Sequence, residues 1–143
     1  WRRIWTPMKH ILTTMVLMTF LFSGLLLGET MDDVKKREGL YYKNFTNVPF
    51  TGNITGKMQG EIRNGKQVGP WIAYHPNGQL LYQGTFKNGK MVGRWVIYYD
   101  DGQLMDIKNY DKYGNPVGAW VHHFPDGTLW SKGTWKDGEF VLD

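Results

Sequence analysis

Three in-phase copies of one short pattern constrain this chain more than any other feature. Gly69-Pro70-Trp71, Gly93-Arg94-Trp95 and Gly118-Ala119-Trp120 each run through an aromatic slot to an Asn/Asp-Gly pair and then to a leucine. The tryptophans lie 24 and then 25 residues apart, and Leu80, Leu104 and Leu129 keep the same two intervals. Self-similarity at such a period signals a repeat architecture, in which each unit buries its apolar face only against its neighbours. Such an architecture presents a continuous surface, so recognition is the functional class to expect before catalysis.

A second set of turns interleaves with the first. Asn64-Gly65, Asn77-Gly78, Asn88-Gly89, Asp101-Gly102, Tyr113-Gly114, Asp126-Gly127 and Asp137-Gly138 fall at intervals of 13, 11, 13, 12, 13 and 11 residues. Asn-Gly and Asp-Gly suit tight hairpin loops, where both central residues need positive φ. The runs between them are rich in Trp, Tyr, Phe, Val, Ile and Thr, which fit a pleated, half-buried surface. The expected fold is all-β: an antiparallel β-hairpin repeat meander, extended and twisted, after an N-terminal hydrophobic helix.

Period 2 sorts the faces. Leu80 shares parity with Phe86, Leu104 with Tyr110, and Leu129 with Trp135. Gly84 and Gly133 fall between them, where they can seat the Gly-x-Trp indoles, and Lys108 takes that slot in the middle unit. The opposite parity reads Leu81, Gln83, Thr85; Met105, Ile107, Asn109; Trp130, Lys132, Thr134. That mixed face is the one expected to meet water.

The N-terminal residues are of another kind. Ile11 to Leu27 is a 17-residue apolar stretch, preceded by Arg2, Arg3 and Lys9 and followed by Glu29, Asp32 and Asp33. Such flanks mark residues 1–28 as a signal peptide or a membrane anchor, with Met8 as the expected true start. Either form places the repeats outside the cytoplasm, periplasmic, secreted or anchored. Residues 29–40 read as a linker, and 41–143 as the repeat domain, with about three full repeats and a lead-in.

Charge and composition narrow the partners. Three of the 17 basic residues lie in the first 28, which hold no acid, so the remaining 14 nearly balance 13 acidic residues. No basic face is visible for nucleic acid. The absence of cysteine excludes a disulfide framework and a thiolate metal site. The two serines, Ser23 and Ser131, sit in no nucleophile elbow, and no phosphate loop or His-Glu-x-x-His occurs. His123 fills the slot of Tyr74 and Tyr98, and His75 that of Tyr99 and Phe124, which reads as packing. Adjacent His122 and His123 face opposite ways on a strand, which disfavours metal binding. We expect no catalytic, cofactor or metal site.

Gly-x-Trp, Tyr-x-x-Asn/Asp-Gly-x-Leu and Gly-x-aromatic-Lys-Asn/Asp-Gly together resemble the MORN repeat in its bacterial variant form, over about Gly60 to Glu139. The lead-in from Gly39-Leu40-Tyr41-Tyr42-Lys43 to Pro49-Phe50-Thr51-Gly52 is similar to that of YwqK-family antitoxins. The resemblance implies a non-enzymatic scaffold that binds a partner protein, with an antitoxin or immunity role if the partner is a toxin. Lys108, Tyr113 and one residue inserted in the middle unit depart from the repeat formula. Two other ligand classes stay open. Trp95-Val96-Ile97-Tyr98-Tyr99-Asp100-Asp101-Gly102 is also similar to choline- and glucan-binding units, which points to cell-wall carbohydrate or choline. Some MORN proteins are proposed to bind lipid surfaces.

Positions that repeat are expected to hold the scaffold: Gly69, Trp71, Tyr74, Gly78 and Leu80; Gly93, Trp95, Tyr98, Gly102 and Leu104; Gly118, Trp120, Gly127 and Leu129. Binding is expected where the copies differ, at Trp130, Tyr82, Met105 and Lys132. Parity places Trp130 beside Lys132 and Thr134 on the mixed face. The competing assignment packs Trp130 against the Phe140 strand as an end cap.

Overall fold

The computed structural model describes residues 28–143, so the expected N-terminal helix and all of the signal-or-anchor segment except Gly28 lie outside the described residues. A short 3-10 turn (Met31–Asp33) leads into a hairpin of β1 (Val34–Arg37) and β2 (Leu40–Lys43). Nine further strands follow: β3 (Gly52–Ile54), β4 (Met58–Arg63), β5 (Lys66–Tyr74), β6 (Leu80–Lys87), β7 (Lys90–Tyr98), β8 (Leu104–Tyr110), β9 (Gly118–His123), β10 (Leu129–Lys136) and β11 (Glu139–Leu142). They form one antiparallel sheet in strict chain order, which is the expected hairpin meander. Among the described residues no helix is long and apolar enough to cross a membrane.

The stretch 29–40 is not the expected linker. Glu29 bridges to Ile54, and β1 buries Val34 against Phe50, Ile54, Ile62 and Trp71. Phe50 N–H donates to the Tyr41 carbonyl, and Tyr41 N–H to that of Gly65, which ties β2 to the first repeat turn. Sequence reading missed this because Lys35-Lys36-Arg37 reads as a solvated run, and Val34 alone carries the burial.

The seven X-Gly turns are all present, in two geometries rather than one. Asn64-Gly65, Asn88-Gly89 and Asp137-Gly138 have positive φ at both residues, as two-residue hairpins require. At Asn77-Gly78, Asp101-Gly102 and Asp126-Gly127 only the glycine has positive φ. There the side-chain Oδ1 of the Asn or Asp accepts the N–H two residues on, from Gln79, Gln103 and Thr128. That is an Asx turn, a second reason for the same dipeptide. Asp111 does the same for Tyr113 and Asn115, so the residue inserted in the middle unit converts a two-residue turn into the longer loop. Register downstream is preserved.

Gly-x-Trp is a bulge. Gly60 opposes the three residues Gly69, Pro70 and Trp71, since Gln59 pairs with Ile72 and Glu61 with Val68. Gly84 opposes Gly93, Arg94 and Trp95 in the same way. The leading glycine supplies the left-handed backbone, with φ of 69° at Gly69 and 67° at Gly93. The opposing glycine clears space, because a Cβ at Gly60 or Gly84 would fall closer than 3.0 Å to the Trp71 or Trp95 ring. Each indole therefore lies over the glycine of the preceding strand. Gly133, which the parity argument paired with a tryptophan, faces Phe140 and the Val141 carbonyl instead.

Trp71 and Trp95 are each 2% exposed and anchor the core. Phe86 meets both edge-on, at 5.9 and 4.8 Å between centroids, and Tyr82 lies 5.4 Å from Trp95. Such pairs add about 0.5–1.5 kcal/mol each beyond their area. The third unit departs from this. Lys108 occupies the glycine slot, and Trp120 is only half-buried above it. Burial then fades toward β11, none of whose residues is covered.

Candidate functional site

Two surfaces stand out, one on each face. The first is a row of cross-strand partners on the face away from the tryptophans. Gln59 pairs with Ile72, Ile72 with Gln83, Gln83 with Val96, Val96 with Ile107, and Ile107 with Val121. Gln59, Ile72, Gln83, Val96 and Ile107 floor an open groove of about 900 Å³, flanked by Pro70, Thr85 and Arg94 on one side and Tyr98 and Leu104 on the other, while Val121 borders the second surface. The aliphatic members are half-buried. Three of them, Ile72, Val96 and Val121, come one residue after each Gly-x-Trp, a repetition that is itself legible in the sequence.

The second surface is a pocket of about 400 Å³ on the tryptophan face, toward the C-terminal end of the sheet. Its walls are Trp120, Trp130, Trp135 and Phe140, and its polar side is Asp106, Lys108, His122 and Ser131. Backbone register assembles it: Asp106 pairs with His122 across β8 and β9, and His122 with Ser131 across β9 and β10. Asp106 is 6% exposed. Its Oδ1 lies 2.6 Å from His122 Nδ1 and its Oδ2 3.2 Å from Lys108 Nζ. Lys108 Nζ also lies 5.4 Å from the Trp120 ring centre. Burial, and then the nearby Asp106 charge, push the Tyr110 hydroxyl above its usual pKa. Asp, His and Ser stand side by side, yet no hydrogen bond joins Ser131 to His122 among the described residues. The hydroxyl therefore lacks the contact that would activate it.

Of the repeated positions, the indole N–H groups of Trp71, Trp95 and Trp120 donate to backbone carbonyls of the preceding strand, at Glu61, Thr85 and Asn109. The aromatic slot after each Tyr/His position links units: His75 Nε2 lies 3.0 Å from the Tyr98 carbonyl, and the Tyr99 hydroxyl donates to that of His123. Phe124 ends that series and is exposed.

The four expected binding residues do not gather. Tyr82 is half-buried against the core, its ring tilted at 42° to that of Trp95, and burial raises its hydroxyl pKa. Met105 is half-buried at a bulge in β8. Lys132 is exposed and pairs with Asp143 at 3.1 Å. Trp130 is 60% exposed, but not beside Lys132 and Thr134. It is the extra residue of a bulge, because Leu129 pairs with His123 and Ser131 with His122. A bulge breaks parity, and the Trp130 ring packs at 4.5 Å on His122 and at 6.1 Å on Phe124. Phe140 is claimed by Trp135 at 5.5 Å, so the ring contacts do not make Trp130 its end cap. Leu81 and Met105 occupy the equivalent bulge positions in β6 and β8.

Among the described residues no three His, Asp or Glu side chains are placed to hold a metal ion. The MORN repeat variant model matches residues 67–88 and 91–112, which are two consecutive hairpin units of the sheet. MORN repeats are repeat scaffolds that commonly mediate protein or membrane interactions, and they are not an enzyme family. No curated protein matches the chain.

Proposed function

We propose that this chain is a non-enzymatic scaffold that holds a partner protein across the groove opposite the tryptophan face. The carrying observation is the groove floor, an aliphatic row interrupted by glutamines and crossing five strands, β4 to β8. An apolar centre with a polar rim is the anatomy of a protein–protein contact, and the groove is too open to enclose a small ligand. Among the described residues Arg94 is the only charged side chain lining it, so it offers little to an anionic lipid surface. An exported or anchored location, set by residues 1–28, would put that contact outside the cytoplasm. There an antitoxin or immunity role against a secreted toxin is the finer reading.

The test is capture of the partner by the full, C-terminally tagged chain in its own host, with mass spectrometry of what co-purifies. Val96→Glu and Ile107→Glu should each abolish capture of the same protein while the melting temperature stays within a few degrees. Capture that survives both charges, or a co-purifying glycan in place of any protein, would end this reading. A toxin-like partner encoded beside the chain would support the immunity role, and a partner of another kind would remove it.

A further inference from the structure

We infer that the pocket between β8, β9 and β10 is a saccharide site, which takes one pyranose ring on Trp130 and bonds its hydroxyls to the Asp106–Lys108–His122 cluster. The inference is separate from the groove reading, since the pocket lies on the other face of the sheet.

The first argument is that departures from the repeat converge there. One unit earlier, the positions of Asp106 and Lys108 are Tyr82 and Gly84, which close the core over Trp95. The chain therefore holds a working solution for this site and uses it in β6. In β8 it replaces that solution with a buried carboxylate and an ammonium, and sets the His122 imidazole of β9 across from them. Swapping packed apolar groups for a buried ion cluster is often neutral or destabilising, so packing supplies no reason for the exchange. The next unit puts the largest of the three bulge residues, Trp130, over His122, where the earlier units carry Leu81 and Met105.

Chemistry selects the ligand. At about 400 Å³ the pocket is at the small end of ligand sites. Its walls are aromatic, and Trp130 is an exposed platform of the kind that receives the C–H face of a sugar. The charges already answer one another, with Asp106 held by His122 on one oxygen and by Lys108 on the other. A quaternary ammonium would find its place over Trp120 taken by Lys108, and a simple anion would meet Asp106. What remains is a neutral ligand with an apolar face and several hydroxyls. It finds a carboxylate acceptor, an ammonium donor and the Ser131 hydroxyl within one pocket. Trp135, which forms one wall, has a buried indole N–H with no acceptor among the described residues.

The experiment is titration of the full chain, in a sugar-free polyoxyethylene detergent, with methyl pyranosides and short glucose, mannose and N-acetylglucosamine oligomers, followed by tryptophan fluorescence and calorimetry. Saturable binding at millimolar or lower concentration is expected for at least one of them. Trp130→Ala should weaken it at least tenfold with an unchanged melting temperature. The pair Asp106→Tyr with Lys108→Gly restores the preceding unit's residues, and should abolish binding while holding or raising the melting temperature. That second variant separates loss of a site from loss of the fold. No saturation with any saccharide, saturation that survives both variants, or binding of tetramethylammonium or phosphocholine in place of sugar would each overturn the inference.

Discussion

Replacing Gly84 with alanine tests the packing rule on which the repeat depends. The new methyl would sit closer than 3.0 Å to three carbons of the Trp95 ring. The indole cannot slide away freely. Phe86 holds it at 4.8 Å, Tyr82 at 5.4 Å, and its N–H donates to the Thr85 carbonyl at 3.2 Å. Forcing a methyl into a filled core costs about 1–3 kcal/mol. Stranding the buried indole donor adds about 1–3 kcal/mol where the ring is displaced. Relief of the glycine backbone penalty returns about 0.5–1 kcal/mol. The net expectation is roughly 1–5.5 kcal/mol, with its middle near 3 kcal/mol, against roughly 3–5 kcal/mol for Trp95→Ala. For a domain of this size, each kcal/mol lowers the melting temperature by about 4 °C. Denaturant unfolding of the full chain, followed by circular dichroism, measures both variants and their combination. In the Trp95→Ala background the methyl has nothing to strike, so Gly84→Ala should there be neutral or stabilising, giving a coupling of about 2–4 kcal/mol. A single-variant cost below about 1 kcal/mol, or the same cost in both backgrounds, would refute the seat. Lys108 is the natural counterpart: where a side chain occupies the slot, Trp120 is half-buried and not sealed.

Gly93→Ala probes the other kind of glycine. Its φ is 67° and nothing lies within 4 Å of an added Cβ, so the cost should be purely conformational, about 1–2 kcal/mol, and independent of Trp95→Ala in a double-mutant cycle. Burial raises the pKa of Tyr41, Tyr82 and Tyr110 above 10.0. The unfolded chain therefore ionises first, and their contribution, complete below pH 10, is lost as pH rises through the folded values. Melting temperature against pH should fall steeply from about pH 10 upward, and Tyr82→Phe should flatten that fall; an unchanged profile would count against its burial. Expressed from Met8 in a secreting bacterium, the chain should fractionate with the membrane or periplasm, and removal of residues 8–27 should leave a soluble, folded protein in the cytoplasm; an insoluble product would show that the segment belongs to the fold.

The period of the pattern was enough to give the strands, their order and the tryptophan column. A hairpin can be read locally, because Asn-Gly, Asp-Gly and the β-branched runs between them each act over a few residues. For the same reason the glycines of Gly-x-Trp and the seat at Gly84 were visible as a set. The sequence could not decide what depends on register between strands. Parity runs true only until a bulge, and the bulges at Leu81, Met105 and Trp130 turn the side chains after them by one position. Trp130 therefore lies on His122 and not beside Lys132, and Tyr82, chosen as variable, closes the core. Lys108 looked like a local flaw in the repeat, and His122 like half of an unproductive pair. Only cross-strand pairing, which joins residues 16 apart at Asp106 and His122, makes one site of them. The hairpin at β1 and β2 was hidden for a similar reason: its single buried valine gains meaning only against Ile62 and Trp71, far along the chain.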